Sequence, residues 1–136
     1  RSSIINKRIL VVDDEPDVIF TLKIVLEENG FKVDSFTDPM VALDNFRGEA
    51  GQYDIILLDI KMPNMNGYEL YKQIKKIDDK VKVCFLTAGE MYYGVYTDIS
   101  NRLDGIYFIQ KPVENKELIA RLNKLVMLDI QANKTT

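Results

Sequence analysis

The chain has 136 residues, a formal net charge of −3 at pH 7 and no histidine. It therefore fits one domain, and histidine-based catalytic triads, histidine-ligated zinc and a phosphohistidine carrier are excluded. The lysines are dispersed, so we expect no direct contact with nucleic acid. No apolar run approaches the roughly 18 residues of a membrane span, and no signal peptide is visible, so we expect no contact with a membrane. The single cysteine, Cys84, lies in an apolar run, and with the preceding observations this indicates a cytoplasmic protein.

Short apolar runs alternate with amphipathic stretches along the chain. Five of the runs are predicted to be strands, at residues 8–12, 32–36, 54–58, 81–86 and 106–109. Three contain continuous apolar segments (ILVV, IILL and VCFL), which are typical of central parallel strands covered on both faces. The second run, FKVDSF, alternates between apolar and polar residues, which indicates an edge strand.

Five amphipathic stretches follow the strands and are predicted to be helices. Pro16 begins the first helix and Asn29-Gly30 ends it, while Asp38-Pro39 begins the second. Residues 91–103 form the fourth stretch, in which Gly94 lowers the helix propensity. The third and the last stretch carry apolar residues at helical spacing: Leu70, Tyr71, Ile74 and Ile77 in one, Leu118, Leu122, Leu125 and Val126 in the other.

Strict alternation of strands and helices predicts right-handed crossovers and a doubly wound parallel sheet. For five strands flanked by five helices, the best prediction is an α/β fold of the flavodoxin-like type with strand order 2-1-3-4-5. We assign residues 8–128 to this domain, residues 1–7 to an N-terminal extension, and residues 129–136 to a polar tail or the start of a linker.

Polar side chains follow the central strands of this predicted sheet. Asp13 and Asp14 follow the first strand, Asp59 the third, Thr87 the fourth and Lys111 the fifth. Because ligands of such sheets bind beyond the carboxyl ends of the strands, we expect these groups to share one crevice. Crowded carboxylates repel one another unless a cation lies among them, and an open site made of oxygen ligands suits Mg²⁺.

A metal site alone leaves Thr87 and Lys111 without a role. An ammonium and a hydroxyl are suitable donors to phosphoryl oxygens, and Mg²⁺ would neutralise the charge on those oxygens during transfer. The nucleophile would be a carboxylate, because the chain has no histidine and its cysteine lies in a strand. The pattern therefore predicts phosphoryl transfer to an aspartate.

Four motifs, in this order, resemble the response regulator receiver domains of two-component signalling, including the chemotaxis regulators. They are ILVVDDEP, LLDIKMPNMNG around Asp59, FLTAGE around Thr87 and YFIQKPV around Lys111. The resemblance covers about residues 8 to 127. Each motif alone is a weak indication, whereas the four at these intervals are specific to that family.

The resemblance implies a role for each site residue. Asp59 would accept a phosphoryl group from a histidine kinase, a phosphotransfer protein or a small acyl phosphate. Asp14, Asp59 and the backbone carbonyl of Lys61 would bind Mg²⁺ directly, and Asp13 would bind it through water. Lys111, which the family follows with a cis peptide bond before its proline, would bind the phosphoryl group. Such a domain assists its own phosphorylation and dephosphorylation but serves as a switch, not as an enzyme.

The resemblance also implies a signalling surface that acts on an output domain or protein. Thr87 and Phe108 would be the switch residues, and the surface would comprise the fourth helix, the fifth strand and the last helix. Tyr92 and Tyr93 are adjacent and cannot share one helical face, so one of them must point outward. We therefore expect this surface to bind a partner or a second copy of the chain.

Two positions between the third strand and the third helix carry further expectations. The long cationic side chain of Lys61 is predicted to shield the phosphoryl group and to slow its loss. Gly67 is expected to provide either an unusual φ or close packing.

Two alternatives remain at this stage. A haloacid-dehalogenase-like phosphatase also uses an aspartate nucleophile and Mg²⁺, but it needs Asp-x-Asp where this chain has Asp13-Asp14-Glu15. A flavodoxin-like cofactor binder would need a Gly/Ser/Thr loop for phosphate after the first strand, where acids would repel the phosphate.

Overall fold

The computed structural model describes residues 7–87 and 106–135, apart from the side chains of Thr87, Ile106 and residues 128–135. The elements in chain order are β1 (Arg8–Val12), α1 (Pro16–Glu28), β2 (Lys32–Phe36), α2 (Pro39–Gly48), β3 (Ile55–Asp59), α3 (Gly67–Ile77), β4 (Lys82–Thr87), β5 (Ile106–Gln110) and α4 (Asn115–Thr135). None of these helices is both long enough and apolar enough to cross a membrane.

The five strands form one parallel sheet in the order β2-β1-β3-β4-β5. The predicted fold class and strand order are therefore confirmed. The central strand β3 is buried along its whole length, whereas β2 at the edge is only partly buried, as the two sequence patterns predicted.

Alternate side chains of each strand enter two separate apolar layers, because successive residues of a strand point to opposite faces. Leu10 and Val12 of β1 pack with α2 and α3, whereas Ile9 and Val11 pack with α1 and α4. Cys84 is fully buried in the second layer, and this burial raises the pKa of its thiol to about 12. The sheet is thus covered by helices on both faces. A site is therefore expected at the carboxyl-terminal edge of the sheet, where the strands end.

Local signals in the sequence set the helix starts. Pro16 and Pro39 occupy first-turn positions, and the side chain of Asp38 accepts a hydrogen bond from the N–H of Met40. Asn66 and Glu69 form a reciprocal capping box at the start of α3. These caps determine where each helix begins after its strand.

Three strands have boundaries that differ from the prediction by one residue. β3 begins at Ile55 and includes Asp59, β4 runs from Lys82 to Thr87, and β5 extends to Gln110. The shift follows from pairing, because Asp59 lies in register with Leu86 and Thr87 with Gln110. Polar residues that the apolar pattern placed after the strands are therefore the last residues within them.

The last helix is longer than its apolar stripe predicted. α4 continues to Thr135, so the backbone of most of the predicted tail is helical. Whether this segment leads into a linker stays a prediction. The predicted helix at 91–103 lies outside the described residues, together with Tyr92 and Tyr93, and so do residues 1–6 of the predicted extension.

Candidate functional site

Three aspartates meet at the carboxyl ends of two neighbouring strands. Val12 of β1 and Leu58 of β3 are register partners, and each is followed directly by an aspartate, Asp13 or Asp59. The carboxylates of Asp13, Asp14 and Asp59 each offer an oxygen, and these oxygens lie within 4.8 Å of one another. The strand register therefore assembles the predicted acidic group.

The acidic group is largely shielded from water and, among the described residues, has the ammonium of Lys111 beside it. Asp13 is 1% exposed and Asp59 is 6% exposed, while Asp14 is half-buried. The Nζ atom of Lys111 lies 3.2 Å from Oδ2 of Asp13 and 4.0 Å from Oδ1 of Asp59. The backbone N–H of Glu15 donates to Oδ1 of Asp13 at 3.0 Å. The predicted grouping of Lys111 with the acids is thus present.

The pKa of Asp59 is raised to about 6. Burial is the largest cause, followed by the charge of Asp13, and Asp14 adds to them. The ammonium of Lys111 and a hydrogen bond from the backbone N–H of Lys61 act in the opposite direction. Asp59 is therefore mainly ionised at neutral pH, but its ionisation lowers the stability of the folded protein.

These residues fit a divalent cation of the Mg²⁺ type. Within the part of the chain that the structure describes, three carboxylates against one ammonium leave an excess of two negative charges in a nearly buried volume. The donors are all oxygens, which Mg²⁺ prefers, and the half-buried Asp14 leaves the group open to solvent on one side. The donor set and its charge thus match a site for one such ion.

The loop between β3 and α3 is held against the site. Met62 is buried in the apolar layer beneath it, and Asn64 has a positive φ of 70°. Gly67 is buried, and its backbone N–H donates to the carbonyl of Ile60 at 2.7 Å. The packing alternative for Gly67 is correct, because a side chain there would meet the backbone of Asp59.

The structure places the two predicted switch residues in adjacent strands. Thr87 is the last residue of β4, and its side chain lies outside the described part of the chain. Phe108 in β5 is half-buried and stacks on Phe85, with ring centroids 5.5 Å apart. Their switching roles stay predictions. The peptide bond between Lys111 and Pro112 is cis, as expected.

A groove that the sequence analysis missed adjoins the site. It has a volume of about 630 Å³, lies between α1 and the start of α4, and includes Lys111 in its lining. Val18, Leu22 and Leu118 give it a mostly apolar floor. The sequence pattern assigned Leu118 to the inner face of the last helix, and nothing in that pattern distinguishes the wall of a groove from a packed core.

Comparisons with known proteins agree with this architecture. The sequence model of the family "Response regulator receiver domain" matches residues 9–123. Response regulator SaeR of Staphylococcus aureus (strain USA300) is 30% identical over 118 residues, which make up 87% of this chain and 50% of SaeR. The chain thus spans about half the length of the curated relatives it matches.

Solved structures of response regulators also resemble this chain. A response regulator receiver domain protein from Clostridium thermocellum is 25% identical, with a TM-score of 0.82 over 93% of this chain and 98% of that chain. Response regulator protein TrrA from Thermotoga maritima, solved in complex with Mg(2+)-BeF, is 36% identical, with a TM-score of 0.72 over 88% of this chain and 98% of that chain. Since the family model covers most of the sequence and the sheet has the expected order, this chain belongs to the response regulator receiver domain family and is a phosphoacceptor of two-component signalling.

Proposed function

We propose that Asp59 is the residue that accepts the phosphoryl group, and that the donor is a histidine kinase or a phosphotransfer protein. The observation that carries this proposal is the position of the Asp59 carboxylate, which lies nearly buried at the end of β3 with Asp13 and Asp14 on one side and Lys111 4.0 Å away. Asp14, Asp59 and the carbonyl of Lys61 would hold Mg²⁺, with Asp13 acting through water. The complex of TrrA with Mg(2+)-BeF supports this metal assignment.

The transfer is a displacement at phosphorus. An ionised oxygen of Asp59 forms the new O–P bond, the P–N bond to the donor imidazole breaks, and the bonding electron pair leaves on the imidazole nitrogen. Mg²⁺, when bound, would neutralise the charge on the phosphoryl oxygens. Lys111 donates hydrogen bonds to the same oxygens, and its ion pair with Asp13 holds the ammonium beside Asp59 beforehand.

Incubation with Mg²⁺ and acetyl phosphate, followed by intact mass measurement, tests the acceptor. A gain of one phosphoryl group, about 80 Da, is expected in the wild-type chain, and it should be absent in Asp59→Asn and in the presence of a chelator. Asp44→Asn is the matched control, because Asp44 is an exposed aspartate on α2 and should leave the gain intact. An undiminished gain in Asp59→Asn would overturn the assignment of Asp59.

The phosphatase alternative has less support. Its second aspartate would be needed at position 15, where this chain has an exposed glutamate whose N–H is used to bind Asp13. A phosphatase would release phosphate from acetyl phosphate in many rapid turnovers. The proposed switch would instead accumulate the phosphorylated form and release phosphate slowly.

The groove beside Lys111 is proposed to receive the protein that donates the phosphoryl group. Lys111 belongs both to the groove and to the site, so a donor that delivers a phosphoryl group to Asp59 can bury apolar side chains in the groove at the same time. With a phosphorylated histidine kinase shown to serve this chain, Val18→Ala, which removes apolar surface from the groove, should slow transfer from the kinase but leave phosphorylation by acetyl phosphate unchanged. Equal slowing with both donors would contradict docking at this surface.

The output is proposed to act through β5, α4 and the segment 91–103. Phosphorylation would shift the population of two conformations and so change the affinity of this surface for an output domain, an output protein or a second copy. Tyr93→Ala should weaken phosphorylation-dependent association, which size-exclusion chromatography with and without acetyl phosphate would measure. Association that remains unchanged in this variant would exclude Tyr93 as an anchor.

A further inference from the structure

Gly67, the first residue of α3, lies in direct contact with the backbone of Asp59. A Cβ atom built on Gly67 would lie 2.2 Å from the carbonyl oxygen of Asp59 and 2.9 Å from the Cα of Ile60. Both distances are well inside the roughly 3.5 Å at which non-bonded heavy atoms come into contact. The atoms met are backbone atoms of a buried strand end, which cannot rotate away as a flexible side chain can.

The same glycine is also bonded to this segment. Its N–H donates to the carbonyl of Ile60 at 2.7 Å, so the start of α3 is held against the end of β3. Lys61 follows Ile60 directly, and its N–H donates to the carboxylate of Asp59. Gly67 therefore touches the short segment that supplies the carboxylate and the Lys61 carbonyl of the proposed site.

We propose that Gly67 is a positioning residue of the phosphoacceptor site. Its missing side chain allows α3 to rest on the carbonyl of Asp59, and this contact determines the position of the Asp59 carboxylate and of the Lys61 carbonyl. The inference rests on the proposed function of Asp59 and adds a residue that would never touch the phosphoryl group itself.

A methyl group at position 67 must push the Asp59 backbone and α3 apart by about 1 Å. The loop between them has little freedom to absorb the change, because Met62 is buried and the capping box of Asn66 fixes the helix start. The carboxylate of Asp59 would therefore shift relative to Asp13, which belongs to the neighbouring strand. A shift of this size at a reacting group is sufficient to lower a rate by about one to two orders of magnitude.

Gly67→Ala tests the contact with two measurements. Titration of the ¹⁵N-labelled protein with Mg²⁺, followed by NMR, gives the affinity for the metal alone, and intact mass after addition of acetyl phosphate at saturating Mg²⁺ gives the rate of phosphorylation. We expect the Mg²⁺ affinity to fall about tenfold and the rate to fall further. In the metal-free protein, the changed amide signals should be concentrated in residues 59–67.

Two matched variants separate positioning from a general loss of stability. Gly48→Ala adds the same methyl group at the end of α2, where no atom lies within 4 Å, so both measurements should be unchanged. Asn66→Ala removes the capping-box hydrogen bond that the N–H of Glu69 donates to Oδ1 of Asn66, and it destabilises the start of α3 without adding an atom near Asp59. It should lower stability while leaving Mg²⁺ affinity within twofold of the wild type.

The outcomes are distinct. Wild-type affinity and rate in Gly67→Ala would overturn the inference, and so would a loss in Asn66→Ala as large as that in Gly67→Ala. Global unfolding of Gly67→Ala while Asn66→Ala folds would also overturn it, because the glycine would then serve the fold as a whole. If the wild-type chain itself is not phosphorylated, the proposed function fails; the Mg²⁺ titrations still decide whether Gly67 positions the acidic group.

Discussion

Single residues of the site act on one another through charge in a small, nearly buried volume. Asp13 and Asp59 are almost inaccessible to water, and Lys111 is the cation that lies between them. An ion pair of this kind is costly to leave incomplete, because a buried charge without its partner retains its full desolvation penalty. The raised pKa of Asp59 has burial as its main cause, and the charge of Asp13 adds to it.

Neutralising Asp59 should stabilise the metal-free protein at neutral pH. The folded-state pKa of about 6 lies above the ordinary value near 3.9, so between these values the folded state binds more protons and stability falls as the pH rises. Asp59→Asn removes this penalty. We expect a gain of about 1 to 3 kcal/mol at pH 7.5 and almost none at pH 4, measured by urea denaturation with a chelator.

Asp44→Asn is the control for this measurement, because Asp44 is exposed and far less crowded by charge. It should change stability by less than about 0.5 kcal/mol at both pH values. An equal gain for Asp59→Asn at pH 4 and pH 7.5 would show that the cost of ionising Asp59 is not its cause.

Lys61 should lengthen the lifetime of the phosphorylated state. Lys61 is exposed and follows Asp59 by two residues, so its long cationic side chain would be able to pair with the phosphoryl group and to hinder attack by water. In Lys61→Ala, which keeps the backbone carbonyl proposed to bind Mg²⁺, the phosphoryl group should be lost several-fold faster after the donor is removed. Intact mass over time measures the decay.

Lys116→Ala serves as the comparison for Lys61, because Lys116 is an exposed lysine at the start of α4 that belongs neither to the acidic group nor to the lining of the groove. Its decay should equal that of the wild type. If Lys61→Ala decays no faster than Lys116→Ala, the shielding role of Lys61 is wrong.

Secondary-structure elements are joined at the opposite end of the sheet by a polar network. Arg8 at the start of β1 bonds Asp34 of β2 at 2.7 Å and Glu49 after α2 at 2.8 Å, and its guanidinium lies 4.7 Å from the ring centre of Tyr53. The hydroxyl of Tyr53 donates to Asp34 at 2.6 Å and accepts from Asn45. The edge strand is thus tied to β1, to the carboxyl-terminal part of α2 and to the loop after it, at the end of β1 opposite Asp13.

Tyr53→Phe should lower stability without affecting phosphorylation. The change removes the hydroxyl and its two hydrogen bonds but keeps the ring that stacks on Phe46, so we expect a loss of about 1 to 2 kcal/mol at pH 7 in urea denaturation. The rate with acetyl phosphate should be unchanged. A slowed rate would show that this network is coupled to the site.

The stability lost in Tyr53→Phe should depend on pH in a defined direction. Burial raises the pKa of Asp34, but the hydrogen bonds from Tyr53 and Arg8 outweigh it, so the pKa lies below its ordinary value. Such a group contributes stability above its unfolded pKa, and the contribution is lost as the pH falls through the folded pKa. The cost of Tyr53→Phe should therefore shrink in acid, and a cost that grows in acid would contradict this explanation.

For the molecule as a whole, cation binding and folding are coupled through the acidic group. Only the folded state brings Asp13 and Asp59 together, so Mg²⁺ should stabilise the whole domain. At a concentration ten times the dissociation constant the gain is about 1.4 kcal/mol. Urea denaturation with MgCl₂, compared with NaCl at equal ionic strength, measures the effect.

Asp14→Asn should remove most of the stabilisation by Mg²⁺, because Asp14 is a proposed direct ligand whose half-buried side chain is tolerant of substitution. The variant should fold and respond to MgCl₂ as it does to NaCl. An undiminished response in Asp14→Asn would place the stabilising cation elsewhere.

The sequence by itself determined the class of fold, the order of the strands and which polar residues come at the ends of the central strands. Apolar runs and helical spacing are local patterns, and strict alternation of strand and helix leaves few topologies for a parallel sheet. The residues at the ends of β1, β3 and β5 follow from the same patterns, since every carboxyl end lies at one edge. Asp13, Asp59 and Lys111 could therefore be grouped before any distance was known.

Only the tertiary structure decided how closely these groups meet and what surrounds them. Lys111 and Asp13 are 98 residues apart in sequence, and their 3.2 Å contact depends on sheet register and burial, which no local pattern contains. The same holds for the contact of Gly67 with Asp59, the groove beside α1 and the raised pKa of Asp59. Residue types and spacing predict which groups come together, whereas packing sets their distances, and at a site of crowded charges the distances determine the chemistry.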